Sequence, residues 1–179
     1  MGRTFQVAQT FASLTVVENV QAALLSADGR AFSWWRQAAR WRRDDAIALL
    51  EQVGMASQAD RPCSDLAYGD VKRVELAVAL ADAPRLLLMD EPTSGVAASE
   101  KMAVVETLVR VLREAGVTAV FVEHDMEVVA RFADRVAVWN RGRIAALGPP
   151  GTVLADPDVR REVIGAVAVP GAGVAHAAV

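Results

Sequence analysis

Two rhythms divide the chain. From Thr15 to Asp82 apolar residues recur at helical spacing, and after Pro84 short unbroken apolar runs alternate with helical stretches. The first rhythm opens with SLTVVENVQAALL, where Thr15 precedes Glu18 at the spacing of a capping box, so a helix is predicted to start there. The next stretch, AFSWWRQAARWRRDDAIALLEQVGM, is helical by propensity and rich in Trp and Arg. Gly54 and QADRPCSD break it before another helix in DVKRVELAVALAD. Residues 1–11 are mixed and read as extended.

The second rhythm begins with RLLLMD, a short apolar run of the kind that forms a buried parallel strand. In SEKMAVVETLVRVLREAG a helix presents Met102, Val105, Leu108, Val109 and Leu112 on one face and stops at Gly116. VTAVFVEHD is a second apolar strand, MEVVARFA a short helix, and RVAVWNRGRIAALG a hairpin around Asn140, Arg141 and Gly142. Asp156-Pro157-Asp158 starts a last helix, with a capping acid and Pro in the first position. No internal repeat is present. The prediction is an α/β domain over residues 1–165, with an all-helical part about 12–82 and a strand-and-helix part about 84–165. Residues 166–179, small and repetitive, are expected to form a disordered tail in which His176 is idle.

Composition narrows the function classes. Nineteen basic residues (19) stand against 22 acids, a formal charge of -3, which gives no broad electrostatic case for nucleic acid. The lone Cys63 excludes an internal disulfide and fits a small apolar residue in a reducing compartment. The N-terminus lacks the apolar core of a signal peptide, and no run reaches the ~18 apolar residues of a membrane span, so a cytosolic chain is expected. Trp34, Trp35, Trp41, Arg36, Arg40, Arg42 and Arg43 could make a basic aromatic face for a partner or lipid headgroups. A partly packed helix with solvated arginines is the favoured alternative.

Three stretches carry candidate chemistry. Asp90 and Glu91 leave the carboxyl end of an apolar strand, where ligands bind in open α/β sheets. The first can hold Mg²⁺ and the second can orient or deprotonate an attacking water. Acids in an exposed loop are the bland alternative; the apolar run before them and PTSG after them favour a site. His124, at the end of the second strand, could contact a transferred phosphoryl group; a lone His is more often structural, but beside an acidic strand end the balance shifts. Leu66, Ala67, Tyr68, Gly69 and Asp70 form a glycine-containing turn directly before a helix, whose N-terminal N–H groups suit phosphate. Taken alone, that turn is only a helix start.

Together these pieces resemble the ATP-binding-cassette ATPases, the motor subunits of ABC transporters. Gln6 in RTFQ looks like the Q-loop glutamine, and LAYGD over residues 66–70 like the signature loop. LLLMDEP looks like the Walker B strand, with Asp90 as the metal-binding acid and Glu91 as the catalytic glutamate. Ser94 and Gly95 open the D-loop stretch SGVAAS, and His124 stands at the switch histidine. The order and spacing agree over residues 1 to about 165, and RTFQ, LAYGD, EHDM and DPDVRREVIG look most like the ATPase subunits of branched-chain amino acid, urea and amide importers.

The resemblance implies a partial RecA-like P-loop NTPase core with an inserted all-helical subdomain. It implies ATP as substrate and Mg²⁺ held by Asp90 and Gln6. The partners it implies are membrane permease subunits and a second ABC ATPase subunit, with no nucleic acid, and a place on the inner face of the membrane through the permease.

The departures are as informative. The phosphate loop G-x-x-x-x-G-K-[ST] is missing: the only lysines are Lys72 and Lys101, and neither follows glycine. The chain is therefore expected to begin midway through the family's domain, to lack ATP hydrolysis alone, and to expose strand edges that invite aggregation. Ala67 stands where many signature loops carry Ser, and Ala97 where the D-loop often has Asp or Asn. A non-catalytic module that docks on a permease or complements a partner ATPase remains the alternative, and a soluble cassette ATPase of nucleic-acid work is the weaker third.

Overall fold

A computed structural model describes residues 2–3, 10–27, 41–161 and 176–178. The Thr15 capping box forms as its spacing predicts. The Thr15 amide donates to Glu18 Oε2 at 2.8 Å while the Glu18 amide donates to Thr15 Oγ1 at 3.3 Å, which opens helix α1 at Val16–Ala27. Helix α2 covers Arg43–Gln52, and Arg42, its N-cap, takes a left-handed φ of 46°, so the helix expected through this stretch is not continuous across Trp41 and Arg42. Trp34, Trp35, Arg36 and Arg40 lie outside the described residues. Of the rest of that stretch, Trp41 packs on the core, Arg42 lies over its ring at 5.6 Å and pairs with Asp45, and Arg43 pairs with Asp60.

Gly54, at φ 75°, and two short 3₁₀ turns separate α2 from helix α3, Tyr68–Leu80. The helix starts earlier than predicted. Tyr68, Gly69 and Asp70 are its first turn and Ala67 is its N-cap, so the glycine lies inside the helix rather than in a turn before it.

Strand β1 (Gly2–Arg3) pairs parallel with β2 (Leu86–Asp90), and β2 pairs parallel with β3 (Thr118–Glu123). Helix α4 (Ala98–Glu114) connects β2 to β3; its buried stripe centres on Val104, Val105, Leu108, Val111 and Leu112, with Met102 and Val109 at its half-buried margin. Gly116, at φ 64°, turns the chain out of α4 into β3. Helix α5 (Met126–Phe132) leads to the hairpin of β4 (Val136–Asn140) and β5 (Arg143–Gly148), closed through Arg141 and Gly142, both at positive φ. Two short helices, α6 (Pro150–Val153) and α7 (Pro157–Val159), follow, and Asp156 caps the second by accepting from the amides of Asp158 and Val159.

The expectation of a disordered tail over 166–179 needs correction at three residues. His176–Ala178 form strand β6, antiparallel to both β3 and β4, in the sheet order β1-β2-β3-β6-β4-β5. Strands β3 and β4 therefore run parallel with one strand's width between them. Open backbone donors and acceptors on both flanks attract any extended segment, even one of small residues. No local pattern in the tail announces such a strand.

The larger core is continuous from α1, α2 and α3 through Leu87, Met89 and Phe121 of the sheet to α4 and Val128. A smaller core of Val129, Val136, Val138, Val153 and Val159 sits under the hairpin. On β2, Leu87 and Met89 are buried while Leu86 and Leu88 are half-buried, so by alternation Asp90 falls on the less buried face at the strand's carboxyl end, where it is exposed.

Candidate functional site

The carboxyl ends of β2 and β3 lie side by side because Asp90 pairs in register with Val122. The next residue, Glu91, still donates its amide to the Val122 carbonyl at 3.0 Å, then takes φ 44° and starts a turn that the Ser94 amide closes at 2.9 Å. A left-handed non-glycine residue costs roughly 1–3 kcal/mol and persists where surrounding structure enforces it, as at functional sites. The turn brings Glu91 Oε1 to 2.7 Å from His124 Nε2, both side chains partly open to solvent. Asp90 is exposed at the strand end.

Four further residues, Thr93, Lys101, Glu123 and Asp125, organise this edge, and sequence reasoning gave none of them a role. Glu123, buried at the end of β3, accepts from Thr93 Oγ1 and from the amides of His124 at 3.0 Å and Asp125 at 3.3 Å. Asp125 caps α5 through the amides of Glu127 and Val128 and forms an ion pair with Lys101 of α4 at 2.7 Å. The hydrogen bond from Lys101 holds the Asp125 carboxyl below the usual carboxylate range, and the same bond raises Lys101 above its ordinary value. The sequence did carry a signal for Glu123. Like Asp90 it is an acid that follows an apolar run without a gap.

The N-terminus of α3 reaches the same edge by a different route. Gly95, at φ 79°, sits so close to the Tyr68 ring that a Cβ there would lie 2.6 Å from a ring carbon. Gly69 faces Val104 of α4, where a Cβ would lie 3.2 Å from a methyl group. Ala67 provides no side-chain cap, so the first amides of α3 receive nothing from its N-cap residue. Asp70 lies in that first turn, near Gln58 at 3.4 Å and Arg73 at 3.7 Å. Beneath it Lys72 and Glu75 form an ion pair at 3.0 Å, both buried, with Lys72 Nζ 5.4 Å from the centre of the Tyr68 ring.

The structure thus brings Asp90, Glu91, Ser94, Gly95 and His124 to one edge, with Leu66–Asp70 beside them through the Tyr68–Gly95 contact. Gln6 lies outside the described residues. Among the described residues no three His, Cys, Asp or Glu side chains cluster as a metal cage. One exposed carboxylate nevertheless suits Mg²⁺, which keeps several waters and takes one or two carboxylates along with substrate phosphates. A cavity of about 280 Å³ lies elsewhere, lined mainly by apolar residues such as Val105, Leu108, Phe121 and Phe132, with Arg113, Thr118 and Asp134 also on its wall. No helix among the described residues is long and apolar enough to cross a membrane.

Comparison with known proteins gives consistent matches. The ABC transporter family profile matches residues 1–94. The high-affinity branched-chain amino acid transport ATP-binding protein LivG of Escherichia coli is 34% identical over 170 residues, covering 91% of this chain and 67% of LivG. The methionine import ATP-binding protein MetN 2 of Rhodococcus jostii is 40% identical over 157 residues, covering 88% of this chain and 44% of MetN 2. The ADP conformation of MJ1267, an ATP-binding cassette of an ABC transporter, superposes with a TM-score of 0.74 at 27% identity, covering 89% of this chain and 66% of that one. The chain spans about two thirds of the length of LivG and of that cassette.

Proposed function

The chain belongs to the ABC transporter family, and on that premise we propose that it is the ATP-hydrolysing part of an importer for branched-chain amino acids or related small polar solutes. The names of the relatives support the substrate class. The observation that carries the hydrolytic reading is the 2.7 Å contact between Glu91 and His124 at the carboxyl edge of two adjacent parallel strands.

In this reading Glu91 takes a proton from the attacking water, and His124 both orients that carboxylate and meets the transferred phosphoryl group. Asp90 and Gln6 would hold Mg²⁺, which would supply neutralisation of charge on the phosphate oxygens. The open N-terminus of α3 at Leu66–Asp70, with Ser94 and Gly95 beside it, receives a phosphate bound to a second ATPase subunit. The assembly rests on permease subunits at the inner face of the membrane.

One observation favours a second reading, a non-catalytic module that docks on a permease or complements a partner ATPase. The 179 residues contain no glycine-lysine pair, and both lysines are already engaged in ion pairs, Lys72 with Glu75 and Lys101 with Asp125. The phosphate cradle must then come from other residues than these. The test is ATP turnover by the assembly that contains this chain and its permease, for wild type and Glu91→Gln. Loss of about 10²-fold or more in kcat supports the hydrolytic reading, since general base catalysis is worth that much. Equal turnover by both forms assigns the chain to the module class. Robust Mg²⁺-dependent turnover by the 179 residues alone would overturn the need for a cradle from elsewhere.

A further inference from the structure

We propose that Glu123 is a positioning residue of this site, its buried carboxylate fastening the loop that carries Glu91 to the turn that carries His124. The consequence for turnover rests on the hydrolytic reading of Glu91 and His124, but the fastening itself does not.

Glu123 is only 3% exposed, and a carboxylate so placed is costly unless its oxygens are hydrogen-bonded. Both oxygens are used, on opposite sides. Oε1 accepts from Thr93 Oγ1, two residues beyond Glu91 and itself 5% exposed. Oε2 accepts from the amides of His124 and Asp125. One side chain therefore grips both loops whose ends carry the Glu91–His124 contact. From outside, Lys101 of α4 holds the same turn through Asp125. The arrangement needs shape more than charge. A glutamine in the same place can accept both amides at Oε1 and donate from Nε2 to a Thr93 hydroxyl turned round as acceptor. An alanine can do neither, and a valine at 93 leaves one carboxylate oxygen buried without its donor.

The experiment reads the site rather than the fold. The chain has two histidines, so ¹⁵N spectra of its imidazoles, with His176→Gln for assignment, isolate the ring of His124. Glu91→Gln calibrates the shift of Nε2 when its carboxylate partner is lost. Glu123→Ala and Thr93→Val are expected to reproduce at least half of that shift, while Glu123→Gln and Thr93→Ser keep the wild-type signal. A folded Glu123→Ala with the wild-type signal would overturn the proposal, as would a Glu123→Gln that behaves like Glu123→Ala. Should Glu123→Ala not fold, Thr93→Val decides alone. In the transporter assembly, kcat is expected to fall about tenfold or more in Glu123→Ala with KM within about twofold, as misplaced reacting groups do. If that assembly turns over no ATP in any form, the hydrolytic reading fails while the spectra still decide the role of Glu123.

Discussion

The two parts of the site edge are held in opposite ways. At the ends of β2 and β3, Thr93–Glu123, Glu91–His124 and Lys101–Asp125 tie loop to turn to helix through polar side chains. At the start of α3 no capping side chain is present, and Leu66–Asp70 is seated by shape, with the Tyr68 ring on Gly95 and Gly69 on Val104. The difference fits the roles proposed above for each part. Acid and base atoms must be fixed in position and direction, which hydrogen bonds do. A helix end that takes an anion must leave its amides open, so its support comes from packing behind it. A side-chain cap there would satisfy the groups a phosphate needs.

The largest break in this comparison lies under the packed end. Lys72→Met removes the ion-pair partner of the buried Glu75 carboxylate and should destabilise the protein by about 3–5 kcal/mol, read by urea unfolding, whereas Lys72→Met with Glu75→Leu should recover most of that loss. A double variant as unstable as the single one would show that the pair contributes more than mutual compensation.

Gly95→Ala tests whether shape alone seats α3. The left-handed backbone at Gly95 should cost about 1–3 kcal/mol, and a Cβ would meet the Tyr68 ring. Adding Tyr68→Ala relieves the contact but not the backbone, so recovery by less than half assigns the cost mainly to φ. Full recovery assigns it to the ring.

The smallest effect is at the polar end and depends on pH. The Asp125 carboxyl is held below its ordinary 3.8, first by the hydrogen bond from Lys101, so its contribution is complete above 3.8 and is lost as pH falls below it. Lys101 is raised above its ordinary 10.5, first by the hydrogen bond from Asp125, so its contribution is present below 10.5 and is lost as pH rises through the raised value. Lys101→Ala should flatten both flanks of the stability profile by less than about 1 kcal/mol, and added salt should shrink the difference. An unchanged acid flank would place the pair among those that contribute nothing measurable.

Most of the elements were legible because short-range patterns specify them. Four apolar residues before Asp90 give a buried strand, Thr15 and Glu18 give a helix start, the apolar stripe of α4 gives a packed helix, and Arg141-Gly142 gives a tight hairpin. The departure from helix at Trp41 and Arg42 has a local cause, a left-handed Arg42 that propensity does not foresee. The miss at β6 has a distant one, because three small residues form a strand only where two others leave a slot. The motifs that place Asp90, Glu91 and His124 were readable from type and spacing, while Glu123, Thr93 and Lys101 passed as ordinary polar residues.

The sequence by itself determined the run of strands and helices, the acids and histidine at the strand ends, and the family to which they point. Only the tertiary structure decided which polar groups meet. Thr93 reaches Glu123 across 30 positions, Lys101 reaches Asp125 across 24, and Glu91 reaches His124 across 33. Backbone periodicity correlates residues a few positions apart. Pairs at these separations are set by the register of β2 on β3 and the crossover through α4, which are properties of the packed core and of no single segment.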